Sequence, residues 1–177
     1  MPSSFCKCLL LGLSLFPISQ PLLAERLQRE VEPRVSPPAR HPGYIFAGTV
    51  KSIERVAPAG RNGVATMRIT FHVDKAIQGV RAGQTLVIRE WAGLWEFGER
   101  YRAGEHVVLF LYPPSKLGLT SPVHGSLGRF QVTEDGQVSL RPEQIEGLGP
   151  GLRARFGARD RVSLQEFARE LRRERED

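Results

Sequence analysis

The stretch "VATMRITFHVDKAI", at 64–77, decides the fold because its apolar residues recur at every second position. Met67, Ile69, Phe71 and Val73 alternate with the polar residues Arg68, Thr70, His72 and Asp74. A period of two predicts a half-buried β-strand with its apolar side chains on one face.

The preceding stretch, "YIFAGTVKSIERV" at 44–56, carries the same alternation through Phe46 and Val50 and then shifts phase to Ile53. A phase shift within one strand is typical of a β-bulge. An Asn62-Gly63 pair, which tolerates a tight turn, separates the two stretches. We therefore expect a hairpin here.

Shorter strands follow along the chain. "QTLVIREW" predicts a third strand, and "EHVVLFLY" predicts a fourth that is apolar on both faces, as in a strand covered on each side. "GRFQV" and "QVSL" flank an Asp135-Gly136 turn, which predicts a terminal hairpin.

These strands predict a mainly β fold, a small five- to six-stranded OB-like closed barrel over residues 43–140, with one C-terminal α-helix. Apolar residues at alternating strand positions are expected to fill the barrel. They are Phe46, Met67, Ile69, Phe71, Leu86, Ile88, Val107, Leu109 and Phe130.

Beyond the barrel, residues 141–162 are rich in glycine and arginine and predict an irregular connector. Residues 163–175 predict an amphipathic helix, since Ser163 and Glu166 have the spacing of a capping box. Its apolar stripe is expected to dock on the barrel, and it contains Leu164, Phe167, Ala168 and Leu171.

The amino-terminal segment, 1–24, has one lysine, a short apolar run and a small residue, Ala24, which predicts a secretory signal peptide. Its apolar run is too short for a transmembrane span. Both cysteines, Cys6 and Cys8, lie within it, so no disulfide is expected. Residues 25–42 predict a proline-rich flexible stalk. We expect a periplasmic or secreted protein after cleavage near Ala24.

Charge gives information about partners. The chain has 25 Lys and Arg against 19 Asp and Glu, a net of +6, but its arginines alternate with glutamates. This mixing disfavours nucleic acid as a partner. The positive net charge points to an acidic partner such as an anionic glycan, and an envelope protein is the other partner expected. No glycine-rich phosphate loop precedes a helix, so no cofactor is expected.

The phrases "FAGTV", "KAIQG", "GERY" and "GSLGRF" occur in an order similar to that in bacterial exported proteins of unknown activity. The domain of those proteins resembles the OB-fold barrel of the tissue inhibitors of metalloproteinases and of netrin modules. The resemblance covers residues 43 to about 140 and implies a fold and an exported location.

The chain departs from the animal inhibitors at their functional end. Those inhibitors begin with a cysteine that chelates the zinc of the protease, whereas this chain would begin at Glu25 after cleavage. The resemblance therefore does not imply metalloprotease inhibition by that mechanism.

The stretch "REWAGLWEFGERYR" is the best candidate for ligand binding, since exposed rings and cations recognise glycans in such barrels. Its candidate residues are Trp91, Trp95, Arg100, Tyr101 and Arg102. In the alternative interpretation, the two tryptophans plug one end of the barrel, and the arginines pair with nearby acids, among them Glu90.

His124 and Ser126, in "LTSPVHGSLGRF" at 119–130, are further candidates. They suggest either a ligand-contacting loop or a serine hydrolase assisted by Asp74 or Glu105. The nucleophile-elbow motif is absent, and the flanking glycines also fit a plain tight bend.

The four histidines, His41, His72, His106 and His124, lack metal-ligand spacing, so no metal site is expected. We therefore predict an exported non-enzymatic binding or interaction module with no catalytic residues. A small serine hydrolase, or an inhibitor of a secreted protease acting through barrel-edge loops, is the alternative. The sequence predicts no oligomeric state.

Overall fold

The computed structural model describes residues 42–58, 60, 63–98 and 100–176, a mainly β structure with a C-terminal helix. The predicted signal peptide, the predicted stalk up to residue 41, and Asn62 lie outside the described residues. The elements in chain order are β1 (Tyr44–Val56), β2 (Thr66–Gln78), β3 (Thr85–Trp91), α1 (Leu94–Phe97), β4 (His106–Leu111), a 3-10 helix (Gly125–Gly128), β5 (Arg129–Gln131), β6 (Gln137–Ser139), α2 (Pro142–Glu146), α3 (Pro150–Phe156), β7 (Arg161–Ser163) and α4 (Leu164–Glu176).

Five strands form one antiparallel sheet in the order β3-β2-β1-β4-β5. The predicted pairing of β1 with β2 is confirmed. Their register shifts at three places, between Ile45 and Phe46, between Ala47 and Gly48, and between Val50 and Ser52. The third shift, where Lys51 is the extra residue of β1, confirms the predicted bulge and explains why the apolar phase of β1 changes after Val50.

Gly48 marks a close approach of β1 to β2. A Cβ atom at this position would lie 2.6 Å from the carbonyl oxygen of His72. Only glycine fits beside the neighbouring backbone without displacing it.

The inner face of the sheet, the side that carries Phe46, Phe71 and Leu109, holds one hydrophobic core. Trp95 and Tyr101, from the segment between β3 and β4, cover this core. Each large side chain buried there contributes roughly 1.5 to 3 kcal/mol before entropy is subtracted. Of the predicted interior residues, eight belong to this core or pack against it, namely Phe46, Met67, Ile69, Phe71, Leu86, Ile88, Val107 and Leu109.

The prediction for the ninth interior residue, Phe130, is wrong, because its side chain packs in a second core on the outer face of the sheet. Its strand, β5, pairs with β4 so that Phe130 lies opposite Val108. Residues directly opposite in a ladder share a face, and Val108 faces outward with Ala47. The prediction that β4 is covered on both faces is confirmed.

The C-terminal helix covers the outer face. Phe167, Ala168 and Leu171 are buried, and the Phe167 ring lies 5.2 Å from that of Phe130, centroid to centroid. Ser163 Oγ accepts a hydrogen bond from the Glu166 backbone amide at 3.2 Å, as the predicted cap requires. Within the described residues, no helix is both long and apolar enough to cross a membrane.

Residues 141–162 are not an irregular connector, because they contain α2, α3 and the start of β7. Proline stands in the first turn of both helices, at Pro142 and Pro150, where its missing amide costs no hydrogen bond. The buried residues Ile145, Leu148, Leu152 and Phe156 belong to the outer core. Their spacing of three and four residues is helical, a signal that the glycines obscured.

The five-stranded sheet is not closed into a barrel, since its edge strands β3 and β5 do not pair. A backbone hydrogen bond of 2.8 Å, from Thr120 N to Arg89 O, joins β3 to the loop after β4. The predicted terminal hairpin is also only partial. Gly136 adopts the expected turn at φ 74°, but β6 then pairs with β7 in a separate two-stranded sheet.

Candidate functional site

A buried carboxyl group stands at the inner edge of β3. Alternation along this strand turns Trp91 outward and Glu90 inward, where Glu90 is 3% exposed. Trp95 Nε1 donates to Glu90 Oε2 at 2.9 Å, and the Tyr101 hydroxyl donates to Oε1 at 3.2 Å. Burial raises the pKa of Glu90, while these two hydrogen bonds and the charge of Arg129 partly offset the rise.

Arg129 lies over Tyr101, with its guanidinium carbon 4.4 Å from the ring centroid. Burial and the neighbouring Glu90 raise the pKa of Tyr101 well above its usual range. The hydroxyl therefore stays protonated and remains a donor to Glu90. A cation over a desolvated ring is an additional attraction that fixes both side chains.

Arg129 also pairs with Glu105. The two side chains are 5% and 11% exposed, and Glu105 accepts from Arg129, from Gln131 and from the Arg102 amide. Burial acts to raise the pKa of Glu105, but these hydrogen bonds outweigh it and lower the pKa. Glu90, Tyr101, Arg129 and Glu105 thus form one connected polar network.

A cleft of about 720 Å³, which we call the aromatic cleft, opens beside this network. Five of the predicted binding residues line it, namely Trp91, Trp95, Tyr101, His124 and Ser126. Glu90, Tyr112 and Arg129 line it as well. Residues from two distant stretches of sequence, 90–101 and 112–129, therefore meet at this site.

The two tryptophans of the aromatic cleft differ in exposure. Trp95 is 9% exposed and belongs to the inner core, whereas Trp91 is 50% exposed. A Cβ on Gly93 would lie 2.4 Å from the Trp91 ring, so the indole packs against that glycine. Trp95 is thus a buried plug of the core, as in the alternative interpretation. Trp91 is an exposed ring, as in the ligand-binding interpretation.

The other two predicted residues, Arg100 and Arg102, line a second cleft of about 720 Å³. This arginine cleft is also lined by Arg129 and Arg141, and by the carboxylate of Glu105. Arg129 borders both clefts, so they lie next to each other. The prediction that an arginine of the 89–102 stretch pairs with Glu90 is wrong, since its hydrogen-bond donors are Trp95 and Tyr101.

His124 and Ser126 are both exposed, and no hydrogen bond joins their side chains in the described part of the chain. His124 adopts a left-handed backbone, φ 53°, and its amide donates to the Tyr112 hydroxyl at 3.3 Å. The Ser126 carbonyl accepts from Arg141 at 3.0 Å. The loop is a tight bend on the rim of the aromatic cleft.

The acids that a hydrolase would need are engaged elsewhere. Glu105 pairs with Arg129, and Asp74 accepts from Thr49 Oγ1 at 2.9 Å on the outer face. His72 and His106 flank Asp74, with Nε2 3.8 Å and 3.4 Å from its carboxylate oxygens. Over the described residues, no group of three or more His, Cys, Asp or Glu side chains has metal-binding geometry. His41 lies outside them.

Two arginines of the site, Arg129 and Arg141, were missed by sequence reasoning. They lie in weakly patterned segments far along the chain from Trp91, and only the folded chain places Arg129 at both clefts and Arg141 at the arginine cleft. Glu90 was identifiable, because a carboxylate in phase with Leu86 and Ile88 falls on the inward face of β3. No sequence pattern predicted that Trp95 and Tyr101 would donate hydrogen bonds to Glu90.

In comparisons with known proteins, no family model, no curated protein and no solved structure matches the chain.

Proposed function

We propose that this protein is an exported, non-enzymatic binding module of the cell envelope that holds a glycan chain in the aromatic cleft. The observation that carries the proposal is Trp91, a large ring left 50% exposed at a cleft of about 720 Å³. Exposed apolar surface beside a concave site is typical of ligand grooves. The face of an indole suits the apolar face of a sugar ring.

Ordered side chains that line the aromatic cleft support the same proposal. Trp95 and Tyr101 are both held by Glu90, and Arg129 covers the Tyr101 ring. A site whose side chains are already ordered loses little entropy when a ligand binds. Leu94, 43% exposed, extends the apolar surface next to Trp91 and lines the same cleft.

We also propose that the sheet belongs to an OB-like barrel. The strand order β3-β2-β1-β4-β5 and the bond from Thr120 to Arg89 across the gap support it. OB-folds are partly open five-stranded barrels that bind oligosaccharides and oligonucleotides through one face and its loops. Export to the periplasm or beyond is supported by the character of residues 1–24.

Tryptophan fluorescence tests the binding proposal, since the chain has only two tryptophans. The full chain is titrated with hexasaccharides of glucose, of N-acetylglucosamine and of galacturonic acid. We expect at least one of them to change the emission, and Trp91→Ala to weaken its binding about tenfold or more, as for loss of an aromatic stacking platform.

Val87→Ala is the matched control, because Val87 is 52% exposed on the same strand and does not line the aromatic cleft. It should leave the affinity unchanged. The proposal is overturned if none of the three saccharides binds, or if Trp91→Ala and Val87→Ala bind equally well. Calorimetry repeats the comparison without relying on a fluorophore that the variant removes.

A further inference from the structure

We propose that the glycan-binding site continues past Trp91 into a neighbouring cleft, so that the module binds a linear sugar chain along its length. The inference rests on the proposed function. The neighbouring cleft, of about 560 Å³, is lined by Trp91 and by the loop that follows β4, and we call it the proline cleft after Pro113 and Pro114 in that loop. Four residues line both it and the aromatic cleft, namely Trp91, Leu94, Tyr112 and Ser121. The two clefts are therefore parts of one groove.

Two aromatic rings, Trp91 and Tyr112, stand at the junction of these two clefts. Elsewhere in the site, the rings of Trp95 and Tyr101 lie 5.7 Å apart, centroid to centroid, within the inner core. Among the described residues, neither Trp91 nor Tyr112 has such a contact with another aromatic ring. Trp91 is 50% exposed and Tyr112 is partly exposed. The groove thus offers stacking surfaces to two sugar units of the same chain.

Hydrogen bonds fix the loop at 113–121 that forms the wall of the proline cleft. The Ser115 amide donates to the Leu119 carbonyl at 2.8 Å, and the Leu119 amide donates back to Ser115 Oγ at 3.2 Å. The Thr120 amide donates to the Arg89 carbonyl at 2.8 Å, which ties the loop to β3. The Thr120 hydroxyl donates to the Tyr112 carbonyl at 2.6 Å. A wall that is already ordered loses little entropy when a ligand binds.

The hydroxyl groups of the groove favour a sugar chain over a proline-rich peptide, which aromatic grooves also bind. Tyr112, Ser115 and Ser121 all line the proline cleft. The Tyr112 hydroxyl and Ser115 Oγ accept backbone hydrogen bonds, and within the described residues none of the three donates its hydroxyl proton to the protein. A hydroxyl both donates and accepts, as sugar hydroxyls do. A polyproline segment has carbonyl acceptors but no donors, so it complements these groups only in part.

Chain length is the first test. The full chain is titrated with the disaccharides and the hexasaccharides of glucose, of N-acetylglucosamine and of galacturonic acid, and displacement of the hexasaccharide gives the weaker affinities. We expect a hexasaccharide that binds to do so more than about tenfold more tightly than its disaccharide, because only the longer chain fills both clefts. The number of disaccharide units within it accounts for about fivefold. A gain no larger than this statistical factor overturns the inference and leaves the proposed function standing.

Variants of Tyr112 test the second ring. Tyr112→Leu should weaken the hexasaccharide about fivefold or more, as for loss of a stacking platform. Tyr112→Phe is the matched control, because both variants lose the hydrogen bond from the His124 amide and only Tyr112→Phe keeps the ring. It should retain most of the affinity. Equal losses in the two variants overturn the role of the ring.

A variant of the loop tests the proline cleft without touching either ring. Pro114→Met places a longer, neutral side chain at that cleft, and we expect it to weaken the hexasaccharide about fivefold while leaving the disaccharide unchanged, since a disaccharide fits in the aromatic cleft alone. Pro58→Met is the matched control, because Pro58 is also exposed and lines neither cleft. Equal hexasaccharide affinities in Pro114→Met and Pro58→Met overturn the inference.

The outcomes separate this inference from the proposed function. Binding of a hexasaccharide that depends on Trp91 but not on chain length or on Pro114 removes the extended groove alone. Binding of decaproline without binding of any of the saccharides overturns the inference and the proposed function together.

Discussion

Trp95 donates from its indole Nε1 to the Glu90 carboxylate across 2.9 Å, inside the inner core. The acceptor belongs to β3 and the donor to the helix that follows it, so this bond ties the covering segment to the sheet. Tyr101 binds the other oxygen at 3.2 Å. Glu90 is therefore a structural anchor beneath the aromatic cleft.

The pH dependence of stability should reveal this anchor. Burial raises the pKa of Glu90 in the folded state above its ordinary 4.5, so the folded chain holds the proton more tightly than the unfolded chain. Stability from this group is fully present below pH 4.5 and is lost as the pH rises through the raised pKa. Urea unfolding of wild type and Glu90→Gln across this range measures the difference. We expect wild type to lose stability relative to Glu90→Gln as the pH rises, and an opposite slope would contradict the assignment.

Breaking the ion pair of Arg129 should destabilise the fold. Glu105→Gln removes the carboxylate that pairs with the buried Arg129 guanidinium, and we expect a loss of about 3 kcal/mol in the free energy of unfolding. Glu54→Gln is the control, since the pair of Glu54 with Arg68 is about half exposed. Its loss should stay within about 0.5 kcal/mol. Urea denaturation at pH 7 checks both, and equal losses would refute the burial argument.

Docking of α4 should account for a large share of the stability. Phe167 is fully buried between the rings of Phe130 and Phe156. We expect Phe167→Ala to cost about 3–5 kcal/mol, and the exposed Arg173→Ala on the same helix to cost less than about 0.5 kcal/mol. Thermal unfolding followed by circular dichroism makes the comparison. A Phe167→Ala chain as stable as wild type would show that the helix does not pack on its sheet in solution.

The two tryptophans should respond differently to a soluble quencher. Trp91→Phe leaves only Trp95, which is 9% exposed, so its emission should lie at shorter wavelength than that of wild type. Acrylamide should quench this variant weakly and wild type more strongly. Equal quenching constants for the two proteins would contradict the assigned exposures.

Ser126 should not react as an activated nucleophile. Its side chain has no hydrogen-bonded base within the described residues, and an unassisted serine hydroxyl is a weak nucleophile. We expect a fluorophosphonate probe to label wild type no more than Ser126→Ala. Labelling that disappears in Ser126→Ala would restore the hydrolase alternative.

The sequence predicted those parts of the fold in which alternation is strict. β3 keeps one phase throughout and β2 keeps one from Met67 to Val73, and the residues predicted there to face inward do so. Phe130 was misplaced because β5 has only three residues, too few to establish a phase from sequence. Residues 141–162 were misread because their glycines concealed a helical spacing of apolar residues.

The site was predicted as far as local sequence allowed. Trp91 and Tyr101 belong to one stretch that is rich in aromatic and charged residues, and such a stretch is visible without a structure. The role of Arg129 depends on the pairing of β5 with β4, a contact between distant segments. Sequence periodicity gives the face of a residue but not its neighbours across the fold, so the polar network could not be foreseen.

The position of α4 at the end of the chain, where it covers the outer face of the sheet, has a consequence for the order in which the fold forms. The cover over Val108 and Phe130 is incomplete until the segment that carries Phe167 has been synthesised. A nascent chain that has completed only its first five strands can thus assemble the inner core but not the outer one. If the chain is exported as we propose, its fold is completed only by its last helix, which would leave the outer face open during synthesis.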